Sequence, residues 1–255
     1  MCDPFSLQDK TVLVTGGTRG VGRAISLGFA RAGASVLANF VRDESAADDL
    51  LALAQREHLL LRVCRADVTN DAGIKTLLAS LSDGAPRLSA LVHCAATGIH
   101  KPLQELTLRH FDWTYGLNVR AFFSLVKTLL PQFDQGSTIV AVSSEGAVRA
   151  VTNYALVGSS KGDLESLARH FAAELAPLGI RVNVLAPGSV LTDAWKSLPD
   201  SGRRLAETVR KTPLQRLVTL EEVALAARFL CSDASRGMIG QTLVVDGGAR
   251  ITACE

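Results

Sequence analysis

The sequence predicts an α/β fold in which a doubly wound parallel sheet of about seven strands carries helices on both faces. Short apolar segments alternate with amphipathic helical segments along the whole chain, which is the pattern of parallel strands joined by right-handed helical crossovers. The first strand runs directly into a glycine-rich turn and a helix. No repeat, low-complexity tract or Pro/Ser-rich linker divides the 255 residues, so residues 1–255 are expected to form a single domain.

The composition is that of a globular protein and excludes several function classes. Hydrophobic residues make up 47% of the chain and the net charge is +2, so we expect no nucleic-acid partner. The N-terminus lacks the apolar core of a signal peptide, and no apolar run is long enough to span a membrane. The five cysteines form no C-x-x-C pair and the five histidines show no metal spacing. These features predict a cytoplasmic protein with reduced thiols and no metal site.

The stretch Thr11–Ala32 reads as a buried strand, a glycine turn and the start of a helix. Its glycines follow the pattern G-x-x-x-G-x-G, with Gly16, Gly20 and Gly22. Gly16 permits the tight turn, Gly20 lets the backbone approach a pyrophosphate, and Gly22 lets the helix lie close to the strand. The free N–H groups of the helix N-terminus favour phosphate binding, although three nearby glycines are also compatible with a tight loop alone.

The remaining elements follow from apolar runs and helical periodicity. Strands are expected at Ser35–Asn39, Leu60–Arg65, Ala90–Cys94, Ser137–Ser144, Ile180–Ala186 and Gln241–Val245. Helices are expected at Glu44–Glu57, Leu106–Leu130, Thr152–Ala176 and Leu220–Cys231, with another beginning near Asn70. Asp193–Arg210 has mixed character. In such a sheet, ligands bind beyond the carboxyl ends of the strands, near the switch in strand order.

The end of the second strand predicts the choice of cofactor. An acidic residue usually holds the ribose hydroxyls of NAD at this place, but Asn39 and Phe40 occupy it here. Arg42 follows closely and Arg19 lies in the glycine turn, so two guanidinium groups can bind a 2′-phosphate through charged hydrogen bonds. The alternative is that both arginines are solvated surface residues. We expect NADPH.

The string T-G-G-T-R-G-V-G resembles the cofactor signature of the short-chain dehydrogenase/reductase superfamily, which has a Rossmann-like fold. The resemblance covers Thr11 to Gly248 and is strongest to the NADPH-dependent type III (FabL-type) enoyl-acyl-carrier-protein reductases. The similar pieces are T-R-G-V-G, N-F-V-R, H-F-D-W-T, S-S-E-G-A-V-R and N-Y-A-L-V-G-S-S-K. It implies a cofactor half at about 11–145 and a catalytic half at about 146–248. The chain departs from the family in having H-C-A-A for N-N-A-G after the fourth strand and an ordinary Pro187-Gly188 pair.

The resemblance also implies a set of cofactor-binding residues. Asp67 matches a family residue that contacts the adenine amino group, although it is equally suited to cap the next helix. Pro187–Thr192 matches the segment that covers the nicotinamide, and Asp193–Arg210 resembles a mobile substrate lid. The expected cofactor contacts are Gly16, Thr18, Arg19, Gly20, Val21, Gly22, Arg42, Asp67, Val68, Cys94, Ala95, Ala96, Lys161, Pro187, Gly188, Val190 and Thr192.

The spacing of the catalytic tyrosine and lysine is unusual. Most members carry Y-x-x-x-K, but Val157 stands four residues before Lys161, and the nearest phenol is Tyr154, seven residues before it. On a helix, residues seven apart share a face and are separated by roughly 10 Å, against about 6 Å for four apart. The wider spacing resembles enoyl reductases, in which charge develops on an oxygen three bonds from the carbon that receives the hydride. Alternatively, Tyr154 is only a packed tyrosine at a helix start.

The resemblance assigns roles to the remaining catalytic candidates. Lys161 binds the nicotinamide ribose and lowers the pKa of the phenol by its charge, while Tyr154 hydrogen-bonds the developing enolate. Ser144 lies at the family's catalytic-serine distance, with Ser143 as an open alternative. Asn118 shapes the active site, often through a water, and is also compatible with bonding to a helix carbonyl.

These observations predict NADPH-dependent reduction of the carbon–carbon double bond of an enoyl thioester, in fatty-acid or related acyl or polyketide biosynthesis. The expected substrate is an acyl thioester, carried by acyl-carrier protein or coenzyme A. The alternatives are a 3-oxoacyl or carbonyl reductase with a displaced tyrosine, and a cofactor-binding protein without turnover. The family commonly forms tetramers, so a homotetramer or homodimer is expected. Leu164, Leu167, Phe171 and Leu175 recur at helical spacing and suit either the core or a partner subunit.

Overall fold

The computed structural model describes residues 3–82, 87–192 and 201–251. Seven parallel strands form one sheet in the order β3-β2-β1-β4-β5-β6-β7, which confirms the expected fold class. The strands are β1 Thr11–Thr15, β2 Ser35–Phe40, β3 Leu61–Arg65, β4 Leu88–His93, β5 Phe133–Val142, β6 Arg181–Pro187 and β7 Thr242–Val245. The strand order reverses between β1 and β4, which opens a crevice at the carboxyl edge of the sheet.

The described residues contain eight α-helices. They are α1 Gly20–Arg31, α2 Glu44–Arg56, α3 Asp71–Ser82, α4 Leu108–Tyr115, α5 Ala121–Leu129, α6 Ala155–Leu175, α7 Ser201–Lys211 and α8 Leu220–Cys231. Side chains alternate across each strand, so Val12 and Val14 face a core shared with α1, α2 and α8. Leu13 faces a second core shared with α3, α5 and α6. Both faces of the sheet are therefore covered, as expected for parallel strands.

The expected helix at Leu106–Leu130 is interrupted in the structure. It consists of α4, a π-helical segment at Gly116–Arg120 and α5. π-helical turns are rare inside α-helices and are frequent at functional sites. Here the π-helical segment contains Asn118, one of the expected catalytic residues.

The expected helix at Thr152–Ala176 begins later than predicted, because Tyr154 is the N-cap residue of α6 and has non-helical φ and ψ of −120° and 13°. The prediction that Tyr154 lies on the helix itself is therefore wrong. Leu164 and Leu175 are buried in the second core, and Leu167 and Phe171 pack against it, which favours the core interpretation of this apolar stripe. Of the expected lid at Asp193–Arg210, residues 193–200 lie outside the described residues and the rest belongs to α7.

Candidate active site

The turn between β1 and α1 has the form required by a dinucleotide. Gly16 and Gly20 have φ values of +63° and +50°, in the left-handed region that favours glycine. A Cβ atom on Gly22 would collide with the carbonyl oxygen of Gly16, so a side chain is excluded there. The N-terminus of α1 has no side-chain cap and no acidic residue in its first turn. Its backbone N–H groups therefore suit a pyrophosphate, and the residues present fit a dinucleotide cofactor.

The residues beyond β2 include the two arginines that the 2′-phosphate hypothesis invokes, and they differ in their partners. The Asn39 side chain is buried and donates to the carbonyl oxygen of Ala66 at 2.8 Å, so it is directed toward β3. Arg19 pairs with Asp43 at 3.1 Å, and the other carboxylate oxygen of Asp43 caps α2. Arg42 is exposed and forms no ion pair with the described residues. Arg42 is thus the more available of the two guanidinium groups.

Asp67 does not cap the next helix, so that alternative is wrong. Its Oδ1 accepts hydrogen bonds from the N–H and hydroxyl of Thr69, at 2.9 and 2.7 Å. The cap of α3 is Asn70, whose side chain accepts from the N–H of Gly73 at 2.9 Å. Asp67 therefore sits in a fixed turn directly after β3, with Val68 buried beside it, where it remains available for the adenine.

The H-C-A-A segment after β4 is held in place by a threonine on the neighbouring strand. Thr15 Oγ1 accepts from the N–H groups of Cys94 and Ala95, at 3.2 and 3.1 Å. Its own proton is left to donate to His93 Nδ1, which lies 3.1 Å away. Burial lowers the pKa of His93 to about 3, so the imidazole is neutral and can accept this bond. The two strand ends are thereby joined without the side-chain amides of the family's usual N-N-A-G string.

The segment that follows continues past Ala96, which is exposed, to a contact with the π-helical segment. The fully buried amide of Asn118 accepts from the N–H of Thr97 and donates to its carbonyl oxygen, both at 2.9 Å. It also donates to Ser160 Oγ on α6 at 2.9 Å. Asn118 bonds a loop and a side chain rather than a helix carbonyl, so that alternative is wrong. It connects the β4 end, the π-helical segment and α6.

Lys161 is buried at the end of β5. Its Nζ donates to the carbonyl oxygen of Val142 at 2.8 Å, and burial lowers its pKa to about 8. The nearby Cys94 thiol is kept protonated, since burial raises its pKa to about 11. Lys161 and Cys94 therefore lie together in the crevice, as the resemblance implies.

Tyr154 occupies a slot that matches its ring. A Cβ atom on Gly146 would meet the ring at 2.5 Å from Cε1, so this glycine leaves room for the phenol, while Gly158 packs against Gly146, where a Cβ would lie 2.8 Å from the carbonyl oxygen. The ring of His100 packs against it edge-on, with 5.0 Å between ring centroids. A tyrosine held between two glycines and a histidine has a defined position, which favours a functional role over incidental packing at a helix start.

The pKa of Tyr154 is governed by other groups than the expected one. Burial raises it above its ordinary value, the Ser144 hydroxyl opposes this shift, and Glu145 adds to it. The prediction that Lys161 lowers this pKa is wrong: the pKa is raised, and Lys161, whose ammonium group donates to Val142, is not among the groups that shift it. A raised pKa keeps the phenol protonated near neutral pH, so its proton is available for donation.

The two candidate serines are distinguished by their surroundings. Ser143 is buried and donates to Glu165 Oε1 at 2.6 Å. Ser144 Oγ is buried and has no hydrogen-bond partner of ordinary geometry in the described part of the chain, and it lies close enough to Tyr154 to influence its pKa. Ser144 is thus available to a bound substrate, whereas the hydroxyl of Ser143 is committed to Glu165.

The place of the family's usual tyrosine is filled by an aliphatic side chain. Val157 is buried, and its Cγ2 occupies the space that a Cβ on Gly98 would take. Gly98 directly follows the Thr97 backbone that Asn118 binds. A carbonyl reduction that depends on a phenol four residues before Lys161 would therefore lack that phenol.

The segment after β6 covers the crevice near the glycine turn. Val190 forms a bridge with Val218, the Thr192 methyl group is the nearest side chain to Gly20, and Gly188 packs on Asp246. A cavity of about 430 Å³ opens behind this segment, lined by Val190, Leu191, Leu205, Val209 and residues 215–220. Neither Tyr154 nor Lys161 lines it, so it is distinct from the crevice that holds these groups.

Several residues of the site are not evident from the sequence. His100, Gly146 and Gly158 surround the phenol, and Glu165 binds Ser143. Of these residues, only the glycines of S-S-E-G-A and L-V-G-S-S could have been noticed in the sequence, because a glycine near the start of a helix can indicate that another group packs closely against the backbone. Among the described residues, no cluster of His, Cys, Asp and Glu could hold a metal ion, and no helix is long and apolar enough to cross a membrane.

A glycine turn that fits a pyrophosphate, together with a buried lysine and a positioned phenol, defines an oxidoreductase that uses a nicotinamide nucleotide. Comparison with known proteins agrees with this class of protein. Residues 16–250 match the family model described as "Enoyl-(Acyl carrier protein) reductase". The chain belongs to the short-chain dehydrogenase/reductase superfamily.

Individual relatives differ in substrate and cofactor. The chain is 33% identical to 1-cyclohexenylcarbonyl-CoA reductase of Streptomyces collinus, over 94% of this chain and 87% of that protein. It is 31% identical to the NADH-dependent enoyl-[acyl-carrier-protein] reductase FabI of Bacillus subtilis, over 98% and 99%. The crystal structure of a gluconate 5-dehydrogenase from Burkholderia cenocepacia, in complex with NADP and tartrate, matches with a TM-score of 0.90 at 27% identity, over 98% and 99%.

Proposed function

We propose that this chain is an NADPH-dependent reductase of the carbon–carbon double bond of an enoyl thioester. One observation carries the proposal: Tyr154 is seated in its slot seven residues before Lys161, while Val157 fills the position four residues before it. The names of two relatives support it. Their substrates, a 1-cyclohexenylcarbonyl thioester and an enoyl carrier-protein thioester, both carry a double bond conjugated to a thioester carbonyl.

The roles of this chain's residues follow from their positions. The bound nicotinamide supplies a hydride, which the substrate accepts at its β-carbon. Negative charge then develops on the thioester oxygen, three bonds away. Tyr154, neutral and displaced from Lys161, donates a hydrogen bond to that oxygen, and the buried Ser144 hydroxyl lies beside the phenol. The α-carbon takes a proton from Tyr154 or from solvent, which completes the saturated thioester. Lys161 binds the ribose hydroxyls of the cofactor.

The choice of NADPH is also a proposal. It is supported by Arg42, which is exposed and has no ion pair with the part of the chain that the structure describes, by Arg19, and by the hydrogen bond of the Asn39 side chain to the Ala66 carbonyl oxygen. The NADP complex of the gluconate dehydrogenase is consistent with it, whereas the relative from Bacillus subtilis uses NADH. A protein carrier for the acyl group, a cytoplasmic location and a homotetrameric or homodimeric assembly belong to the same proposal.

The competing function is reduction of a carbonyl group, which the similarity to a gluconate dehydrogenase favours. Purified protein with NADPH should oxidise the cofactor with a crotonyl thioester and much more slowly with an acetoacetyl thioester. Faster turnover of the acetoacetyl thioester would identify a ketoreductase. NADPH binding without turnover of either substrate would identify a cofactor-binding protein.

A further inference from the structure

Two side chains of opposite charge, one helical turn apart on α6, form hydrogen bonds with the end of β5. Lys161 donates to the carbonyl oxygen of Val142 at 2.8 Å. Glu165 accepts from the hydroxyl of Ser143, the next residue on the same strand, at 2.6 Å. Lys161 and Glu165 are both only 5% exposed, and residues four apart on a helix share a face. The described atoms of the two side chains form no ion pair within bonding distance, so the carboxylate acts on the ammonium group through the low-dielectric interior.

We propose that Glu165, anchored by Ser143, is a positioning residue that keeps Lys161 charged and directed at the cofactor. This inference rests on the role assigned to Lys161 in the proposed function. A buried ammonium group is unstable without a compensating charge, and Glu165 is the acidic side chain that acts on Lys161. The Ser143 hydrogen bond fixes the carboxylate, which explains why this serine is committed while Ser144 is available.

The other groups around Lys161 cannot supply that charge. From the end of β4, the neutral His93 and the protonated Cys94 thiol face it. From β5 it meets the carbonyl oxygen of Val142. From its own helix comes Glu165. Burial lowers the pKa of Lys161, and Cys94 and Glu165 oppose that shift. Because burial keeps the Cys94 thiol protonated, the opposition is left to Glu165, and removal of its carboxylate is expected to lower the pKa of Lys161 further.

The test is the pH dependence of NADPH binding, measured by cofactor fluorescence between pH 6 and pH 10 without any acyl substrate. In the unmodified protein, affinity is expected to fall as Lys161 loses its proton near pH 8. Glu165→Gln keeps the size of the side chain but removes its charge, and should move the midpoint to lower pH by on the order of one unit. Ser143→Ala should give a smaller shift in the same direction, and Glu165→Asp should restore most of the original midpoint.

Glu174→Gln is the matched control, because it removes the same charge from an exposed position on the same helix, and its midpoint should equal that of the unmodified protein. An unchanged midpoint in folded Glu165→Gln would overturn the proposal. If Glu165→Gln does not fold, a Ser143→Ala profile identical to that of the unmodified protein would overturn it instead. Because the measurement uses no acyl thioester, a shifted midpoint in a protein that fails to reduce crotonyl thioesters would contradict the proposed function and leave the role of Glu165 standing.

Discussion

At the scale of single residues, the contribution of the Tyr154 phenol to turnover can be measured separately from any effect on cofactor binding. Tyr154→Phe should lower kcat for an enoyl thioester by roughly a hundredfold to a thousandfold, the usual cost of losing a donor aimed at developing charge. NADPH affinity should be nearly unchanged, since the phenol meets the substrate oxygen. Steady-state kinetics and fluorescence titration measure the two quantities.

The chain offers a matched control for that experiment. Its only other tyrosine is Tyr115, which stacks on Phe111 at 4.2 Å between ring centroids and whose hydroxyl interacts with Ser159 and Asp163 of α6. Tyr115→Phe should retain full enoyl turnover. Full activity in Tyr154→Phe would refute the mechanism. Val157→Tyr supplies a phenol four residues before Lys161 and should not restore enoyl reduction to Tyr154→Phe, although it is expected to promote ketone reduction.

The second prediction concerns Arg42 and the preference for NADPH over NADH. Arg42→Ala should lower the ratio of kcat/KM for NADPH to that for NADH by roughly tenfold or more, because a charge-assisted hydrogen bond to the 2′-phosphate is lost. Arg56→Ala, which removes an exposed arginine at the far end of α2, should leave the ratio as it was. An unchanged ratio in Arg42→Ala would show that the cofactor is selected elsewhere.

Residue types and their spacing were enough to single out the glycine turn, Lys161 and Tyr154 as candidate site residues, because each is defined by a short motif. The roles of the two serines could not be predicted. Ser143 and Ser144 are adjacent in sequence, and only the packing of α6 against β5 shows that Glu165 lies opposite one of them. The diversion of Asn39 to β3 and the pairing of Arg19 with Asp43 likewise depend on contacts between separate elements.

At the scale of secondary-structure elements, Asn118 is the residue that joins α6 to the crevice. Asn118→Ala would remove three hydrogen bonds and leave the buried backbone groups of Thr97 unpaired. We expect the free energy of unfolding in urea to fall by about 2–4 kcal/mol. Ser160→Ala removes one of these three bonds together with the bond that Ser160 donates to the Val157 carbonyl oxygen, keeps both bonds to Thr97, and should cost less, about 1–2 kcal/mol. Equal losses in the two variants would contradict this assignment.

Element boundaries show where the sequence was informative. The bounds of α8 match the prediction residue for residue, because Thr219 and Glu222 form a capping box that is visible as a short motif. The π-helical segment was not predictable, since its residues G-L-N-V-R continue a helical pattern and the interruption arises from the hydrogen bonds of Asn118 to Thr97. The start of α6 was misplaced for a similar reason, because the phenol slot fixes Tyr154 outside the helix.

At the scale of the whole molecule, stability should depend on the protonation of His93. Its pKa is about 3 in the folded protein and about 6.5 when unfolded. The unfolded state therefore binds more protons between these values, and stability falls as pH drops below about 6.5. His93→Asn should remove this component, so that the unmodified protein loses about 1–2 kcal/mol more than the variant between pH 7 and pH 5. Urea titrations at several pH values measure the difference, and parallel curves would contradict the prediction.

Assembly is the last prediction at this scale. Large apolar side chains are exposed on α4 and α5, including Phe111 at 41%, Trp113 at 45% and Phe123 at 44%. Such a group of exposed aromatic residues is typical of a subunit interface. Light scattering should report a dimer or tetramer at micromolar concentration, and Phe123→Asp should shift the distribution toward smaller species. A monomer in the unmodified protein would contradict it.

The contact between Val157 and Gly98 also restricts how this chain can change during evolution. While the valine is present, any side chain at position 98 would collide with it. Substitutions at positions 98 and 157 are therefore expected to be coupled, so that the effect of replacing Gly98 depends on which residue occupies position 157.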